Sequence, residues 1–400
     1  MSSESPRQPL EIVGISWVTT IFLFSTLVVS LIGGPWFAWS FPVGWFELVL
    51  FVAMMYLTGM SITVGYHRLF SHRAYQAKWP VRLFVCLFGA GAFQMSALKW
   101  SAEHRHHHKH TDQDGDPHDP HSIARGFWWA HMGWLLVKVD PRLRHDNVED
   151  LRRDPILAWQ ERWYVPIAIV MGFFVPMAVG AGWYAFTGRD VLVGVLSGFL
   201  FGGTIRIVAV HHMTWFINSL AHSIGSRPYD SEASSRDNGL LALFTFGEGY
   251  HNYHHAFQTD YRNGVRFWQF DPTKWVIWTL SKVGLASNLR RIPAETIRLA
   301  RLRERQRQIE RRIAEDRVEL SDTLASWLRE LDAKAEELHL QLRTLLNEST
   351  RQARAKMHRS SEQRREVEAK LRQVRREFAA TLKAWKLAHR QAMALAAAPA

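Results

Sequence analysis

The sequence predicts an all-α integral membrane protein: four transmembrane helices in two hairpins, a cytosolic histidine-rich helical cap, and a C-terminal helical or coiled-coil extension. Three observations carry that prediction. Four apolar stretches, at about residues 12–33, 44–66, 163–186 and 191–210, are long enough to cross a hydrocarbon core that takes about 20 helical residues. Of the 20 histidines, 17 lie between His67 and His255, in clusters that begin where apolar stretches end. Residues 294–398 contain neither Gly nor Pro and are dominated by Glu, Arg, Lys, Ala, Leu and Gln, which favours helix.

The first two spans are joined by GPWFAWSFPV and the last two by TGRD, so each pair reads as a hairpin. The first apolar run follows the polar MSSESPRQPLE and lacks a small-residue cleavage site, so it reads as a retained span. The loop 67–162 carries 14 Lys+Arg, whereas the two hairpin turns carry only Arg189 between them. The positive-inside rule therefore places that loop, and both termini, in the cytoplasm. A fifth apolar run, residues 83–98, would rise only about 24 Å as a helix. Crossing would also put the first two histidine clusters on opposite faces. It reads as interfacial or re-entrant.

Residues 67–162 and 211–292 then form the cap of a membrane domain, 1–292, followed by a basic tail, 293–400. From residue 290 onward 26 Lys+Arg face 16 Asp+Glu, a net +10 of the chain's +12. Apolar spacings of three and four at Leu320, Leu324, Trp327, Leu331, Leu338, Leu342 and Leu345, and at Val367, Leu371, Val374, Phe378, Leu382 and Trp385, predict a helical hairpin or coiled coil. Packing or self-association is its first reading; contact with anionic headgroups or an acidic electron donor is the other. No nucleic-acid partner is expected. The single Cys86 can form no intrachain disulfide.

Nine histidines carry metal-ligand spacing: His67 and His72; His104, His107 and His108; His222; His251, His254 and His255. His67 and His72 are five apart, which suits a helix end or turn. In EHRHHH and HNYHH the spacings of three and four share one helix face. The absence of Cys argues against a structural zinc finger. Neutral imidazoles with few carboxylates suit two iron ions, each with a position open for O2, while zinc and manganese remain alternatives on these grounds.

The motifs HRLFSHR, HRHHHKHTDQDGDPH, RGFWWAHMGWLL, TWFINSLAH, RPYDSEASSRDN and GEGYHNYHHAFQTDYRNG resemble the integral-membrane fatty-acid desaturases, in particular the Δ9 acyl-CoA (stearoyl-CoA type) branch and its bacterial-like members, over residues 10–292. The resemblance implies that the nine histidines hold a di-iron centre, with Asn218 reaching one iron through water. It implies O2-dependent insertion of a cis double bond into a saturated acyl chain. Gln94, Trp100, Thr214 and Trp215 match residues at a tunnel kink, Met55 and Gly59 positions near its closed end, and Glu103 and Lys138 headgroup contacts. Where animal enzymes carry Asn and Arg against the CoA headgroup, this chain has Met95 and Ala102. An acyl-lipid or acyl-carrier-protein donor is therefore the alternative to acyl-CoA, and a membrane di-iron hydroxylase the alternative reaction. With no H-P-G-G haem signature and no Cys cluster, electrons are expected from a separate reductase, ferredoxin or cytochrome.

Other histidines read differently. His106 and His110 fall between ligand positions, and His211 and His212 read as supporting or membrane-interface residues. Asp114, Asp116 and His118 either orient ligands by hydrogen bonds or cap a helix, and His121 lies in the same loop.

Overall fold

The computed structural model describes residues 11–111, 122–140, 147–316, 322–354 and 361–396. The chain divides into two compact units, Met1–Arg227 with Glu232–Arg291, and Pro228–Ser231 with Ile292–Ala400.

In the first unit four helices are long and apolar enough to cross a membrane: Trp17–Ser40, Trp45–Ser71, Tyr164–Phe186 and Val191–His222. Their outer faces expose Val18, Leu31, Val49, Val165, Phe174 and Leu192, as a surface solvated by lipid does.

The first helix departs from expectation at both ends. It starts at Trp17, because Glu11–Ile15 is a strand antiparallel to Val137–Asp140, with Ile12 opposite Val139 and Ile15 opposite Val137. The β-branched residues there suit a strand pair better than another helical turn. The helix also continues through Pro35 to Ser40, so the hairpin turn shrinks to residues 41–44. Phe37, fully buried, meets Phe201 of the fourth helix with ring centroids 5.5 Å apart, which draws this extra stretch inward.

The ambiguous apolar run splits. A 12-residue helix, Trp79–Ala90, spans about 18 Å, too little to cross. A turn follows, and a second helix, Ala97–His110, carries the EHRHHH motif.

Two contacts set the spacing of the spans. A Cβ on Gly194 would lie 2.5 Å from the Gly180 carbonyl oxygen, and one on Gly198 2.2 Å from that of Pro176. Glycine there lets the third and fourth helices touch backbone to backbone. At the other end of the second helix from His67, buried Glu47 accepts hydrogen bonds from Tyr184 Oη at 2.8 Å, Ser197 Oγ at 3.0 Å and the Gly44 amide at 2.8 Å. This carboxylate ties one hairpin to the other, and its partners make the burial tolerable.

The second unit holds helices Ala294–Asp316, Asp322–Arg354 and Ser361–Ala396. Leu299, Leu302, Ala335, Leu338, Leu342, Phe378, Leu382 and Trp385 form its core. Of the spaced apolar residues, Leu338, Leu342, Phe378, Leu382 and Trp385 lie in this core. The helix Ala294–Asp316, which those spacings do not include, joins the expected hairpin through Leu299 and Leu302. Leu320 lies outside the described residues.

Candidate metal centre and substrate cavity

Four elements deliver the histidines. The second span widens into a π-helix over Ser61–Ser71. Residues five apart then come about one turn apart, and the His72 amide donates to the His67 carbonyl at 3.1 Å. That local geometry is why an interval unsuited to an α-helical face still points both imidazoles one way. Ser96 caps the next helix through the Lys99 amide at 3.3 Å. Its spacings of three and four aim His104, His107 and His108 together, with His104 stacked on Trp100 at 4.8 Å. The fourth span ends at His222, and the short helix His251–Ala256 brings His251, His254 and His255.

The nine imidazoles form two groups. His67, His72, His104, His108 and His254 make one, and His107, His222, His251 and His255 the other; within each, one ligand atom per residue lies within 4.8 Å of all the others. Nε2–Nε2 distances are 2.8 Å for His72–His104 and His108–His254, and 3.0 Å for His67–His254, His222–His251 and His251–His255.

This donor set fits metal ions. Nitrogens about 2.0–2.1 Å from one ion stand about 3.0 Å apart at a right angle and about 3.4 Å apart at the tetrahedral angle. The observed edges match right angles, and five donors exceed what a closed tetrahedral site takes. His67 presents Nδ1 to Glu248 Oε2 at 3.0 Å, which leaves its Nε2 facing His254. His222 Nδ1 meets Ser234 Oγ at 2.6 Å. Each contact fixes a ring's orientation from behind.

Burial first, and then neighbouring imidazoles, hold His104, His108, His254 and His255 well below the usual histidine range. They are therefore neutral and ready to bind metal at neutral pH. Burial would raise the Glu248 carboxyl, but Arg68 and His67 outweigh it and hold it at about 2.

Behind His67 lies a buried ionic web that sequence reasoning missed. Arg68 donates through Nη2 to Glu248 Oε1 at 2.8 Å and through Nη1 to Asp271 Oδ2 at 3.1 Å and the Tyr261 carbonyl at 2.8 Å. Asn263 Nδ2 donates to Glu248 Oε2 at 2.6 Å. Gly247, at φ +99°, is required twice over, since a Cβ there would also fall 2.6 Å from Asp271 Oδ1. The available signal was an acidic residue inside GEGYHNYHH, directly ahead of three candidate ligands.

Two cavities meet at the histidines. The larger, about 330 Å³, is lined by Phe22, Phe93, Gln94, Met95, Glu103, Tyr164, His211 and Trp215 among others. The smaller, about 50 Å³, is lined by Gly59, Ile62, Thr63, Thr245 and Phe246 with His67, His107 and His251. Trp100, His104, Thr214 and Asn218 line both. Gln94 Nε2 donates to Thr214 Oγ1 at 2.8 Å at this junction.

Of the other sequence candidates, Met55 packs against the core and Lys138 sits on the strand pair; neither lines these cavities. Ala102 is buried in the core, so only Met95 of the two departures faces a cavity. His211 Nε2 lies 2.9 Å from the Ala92 carbonyl, and His212 Nδ1 3.0 Å from His131 Nε2. His106 and His110 stand outside both groups. Asp114, Asp116, His118 and His121 lie outside the described residues.

Comparison with known proteins agrees with this geometry. The fatty acid desaturase family profile matches residues 40–289. A probable acyl-CoA desaturase of Schizosaccharomyces pombe is 39% identical over 299 residues, 74% of this chain and 59% of that protein. Acyl-CoA desaturase 1 of Saccharomyces cerevisiae is 38% identical over 294 residues, 72% of this chain and 56% of that protein. The stearoyl-CoA desaturase of Capra hircus is 35% identical over 304 residues, 75% of this chain and 80% of that protein. The chain thus spans less than two thirds of the two fungal relatives' length, and most of the goat protein's. On its family match and its identity to these proteins, the chain belongs to the fatty acid desaturase family.

Proposed function

We propose that this protein is a membrane acyl-CoA desaturase of the Δ9 type. It takes two hydrogens from adjacent methylenes of a long saturated acyl chain to leave a cis double bond. O2 accepts them together with two electrons and two protons and leaves as two waters. The observation that carries the reading is the gathering of nine imidazoles, as five and four, at the junction of two apolar cavities.

His67, His72, His104, His108 and His254 would hold one iron, and His107, His222, His251 and His255 the other, with Asn218 beside them. Two iron ions held there supply the oxygen-derived oxidant that an unactivated C–H bond requires. The protein's own work is positional. The larger cavity receives the acyl chain, with Glu103 and Lys138 on the headgroup side. Trp100, Thr214, Trp215 and Gln94 bend it past the histidines, and the smaller cavity takes its far end, closed by Gly59 and Phe246. Holding one C–C bond at a fixed place is what directs the reaction.

Electrons come from a separate donor, and the 14 Lys+Arg of the loop 67–162 support a cytoplasmic site. The tail serves packing or self-association.

Expression in a host that lacks unsaturated fatty acids, with double-bond mapping of its lipids, tests the reading. A product two hydrogens lighter than its precursor supports it. A product heavier by one oxygen, as a hydroxylase makes, or no product, overturns it.

A further inference from the structure

Arg206 lies in the fourth span, fully buried, and among the described residues no carboxylate pairs with it. Its guanidinium instead donates to three glycine carbonyls: Nε to Gly202 at 3.0 Å, Nη1 to Gly91 at 2.6 Å and Nη2 to Gly172 at 2.9 Å. A charge at that depth is costly and is kept where it does work. Glycine makes the cradle possible. A Cβ on Gly172 would fall 2.3 Å from Phe93 Cε2, and one on Gly202 2.5 Å from Pro176 Cβ.

What Arg206 holds is the turn at residues 91–95. That turn carries two non-glycine residues in the left-handed region, Phe93 at φ +56° and Met95 at φ +71°, a conformation that persists only when its surroundings enforce it. His211, one and a half turns further along the same helix, adds a second tie at the Ala92 carbonyl, 2.9 Å away. Phe93 is clasped between Phe22 and Phe173, with ring centroids at 4.9 and 5.4 Å. Between the two strained residues stands Gln94, which lines the larger cavity and donates to Thr214, a residue that lines both. Arg206 and Thr214 share one helix about 12 Å apart along its axis. That helix is a strut, gripping the turn at one end and receiving Gln94 at the other.

We infer that Arg206 is a positioning residue that sets where along the acyl chain the double bond falls. The inference rests on the desaturase reading. Successive methylenes are chemically alike, so the register of the chain at the Gln94–Thr214 junction must select among them. Arg206 acts on that register through the 91–95 turn.

Arg206→Met, Arg206→Lys and Gly172→Ala in the full chain test this, each read by double-bond mapping in a host lacking unsaturated fatty acids and by amide hydrogen exchange at residues 91–95 of the purified protein. The Met variant should raise off-position isomers relative to the main product roughly tenfold, a barrier difference of about 1.4 kcal/mol, and speed exchange in the turn. Lysine, which keeps a donor for the carbonyls, should restore part of both. Gly172→Ala, which displaces Phe93 and leaves the guanidinium intact, should shift the isomers in the same way and decides the matter if the Met variant does not accumulate. Lower yield with an unchanged isomer ratio, or unchanged exchange, overturns the inference and leaves Arg206 a packing residue. A wild-type chain that makes no unsaturated product overturns the desaturase reading instead, while the exchange comparison still tests the tie to the turn.

Discussion

Glu248 Oε2 stands 3.0 Å from His67 Nδ1, and the same carboxylate takes the Arg68 guanidinium on its other oxygen. The contact puts Nδ1 of His67 on the carboxylate and its Nε2 toward His254, and Arg68 keeps the carboxylate ionised in a buried site. Glu248→Gln should therefore lower iron retention about 10–100-fold, the usual cost of losing a carboxylate behind a ligating histidine. Metal analysis of purified protein after dialysis measures it. Full iron content in the variant would show that the His67 ring is oriented by packing alone.

Gly59 faces Phe246 so closely that a Cβ there would lie 2.4 Å from its Cε2. Phe246 is itself held at φ +54° and meets Tyr56 edge-on at 5.1 Å. A bulky residue at position 59 must therefore displace the Phe246 ring, and Gly59 and Phe246 both line the smaller cavity. On the proposed function, Gly59→Leu should shorten the preferred acyl chains, read as product chain lengths from a mixed substrate supply. An unchanged profile would mean that the far end of the chain lies elsewhere.

These two sites show what the sequence could reveal and what it could not. The nine histidines were legible because a span and a neutral metal ligand each leave a local mark, in hydropathy and in spacing. The strand Glu11–Ile15 left none that could outweigh its apolar composition, because its partner Val137–Asp140 lies far along the chain. The widening of Ser61–Ser71 into a π-helix was equally hidden, since its composition differs little from an α-helix; the interval of five between His67 and His72 therefore reads only as a helix end or turn. Glu47, Glu248 and Arg206 could be seen as charges but not assigned, because their meaning rests on distant partners. The tail's three-helix core was half legible: its apolar periodicity gave helices and a packing face, but not which helices share it.

The buried imidazoles make the metal-free protein sensitive to acid. His104, His108, His254 and His255 titrate well below the ordinary value of about 6.5. As pH falls through about 6.5 the unfolded chain takes up protons that the folded chain refuses, so folding stability drops, and it is fully regained above that value. Thermal unfolding of metal-free protein in detergent should show a midpoint that falls from about pH 7 toward about pH 5. A flat midpoint across that window would place these rings in contact with water. Iron loading should raise the midpoint, because metal binds the folded state and requires the deprotonated rings.

Trp385 tests the independence of the second unit. It is 1% exposed, packs with Leu338, Leu342 and Phe378, and donates through Nε1 to Asp332 Oδ1 at 2.5 Å. Trp385→Ala removes a large core side chain and leaves that carboxylate without its indole donor, a change that costs about 3–5 kcal/mol. The family match ends at residue 289, ahead of this core, and every proposed ligand lies in the first unit. Desaturation should therefore survive the substitution, while protease sensitivity rises within residues 294–396. Loss of product at unchanged membrane levels would show instead that the tail takes part in turnover, and would make electron delivery the first step to examine.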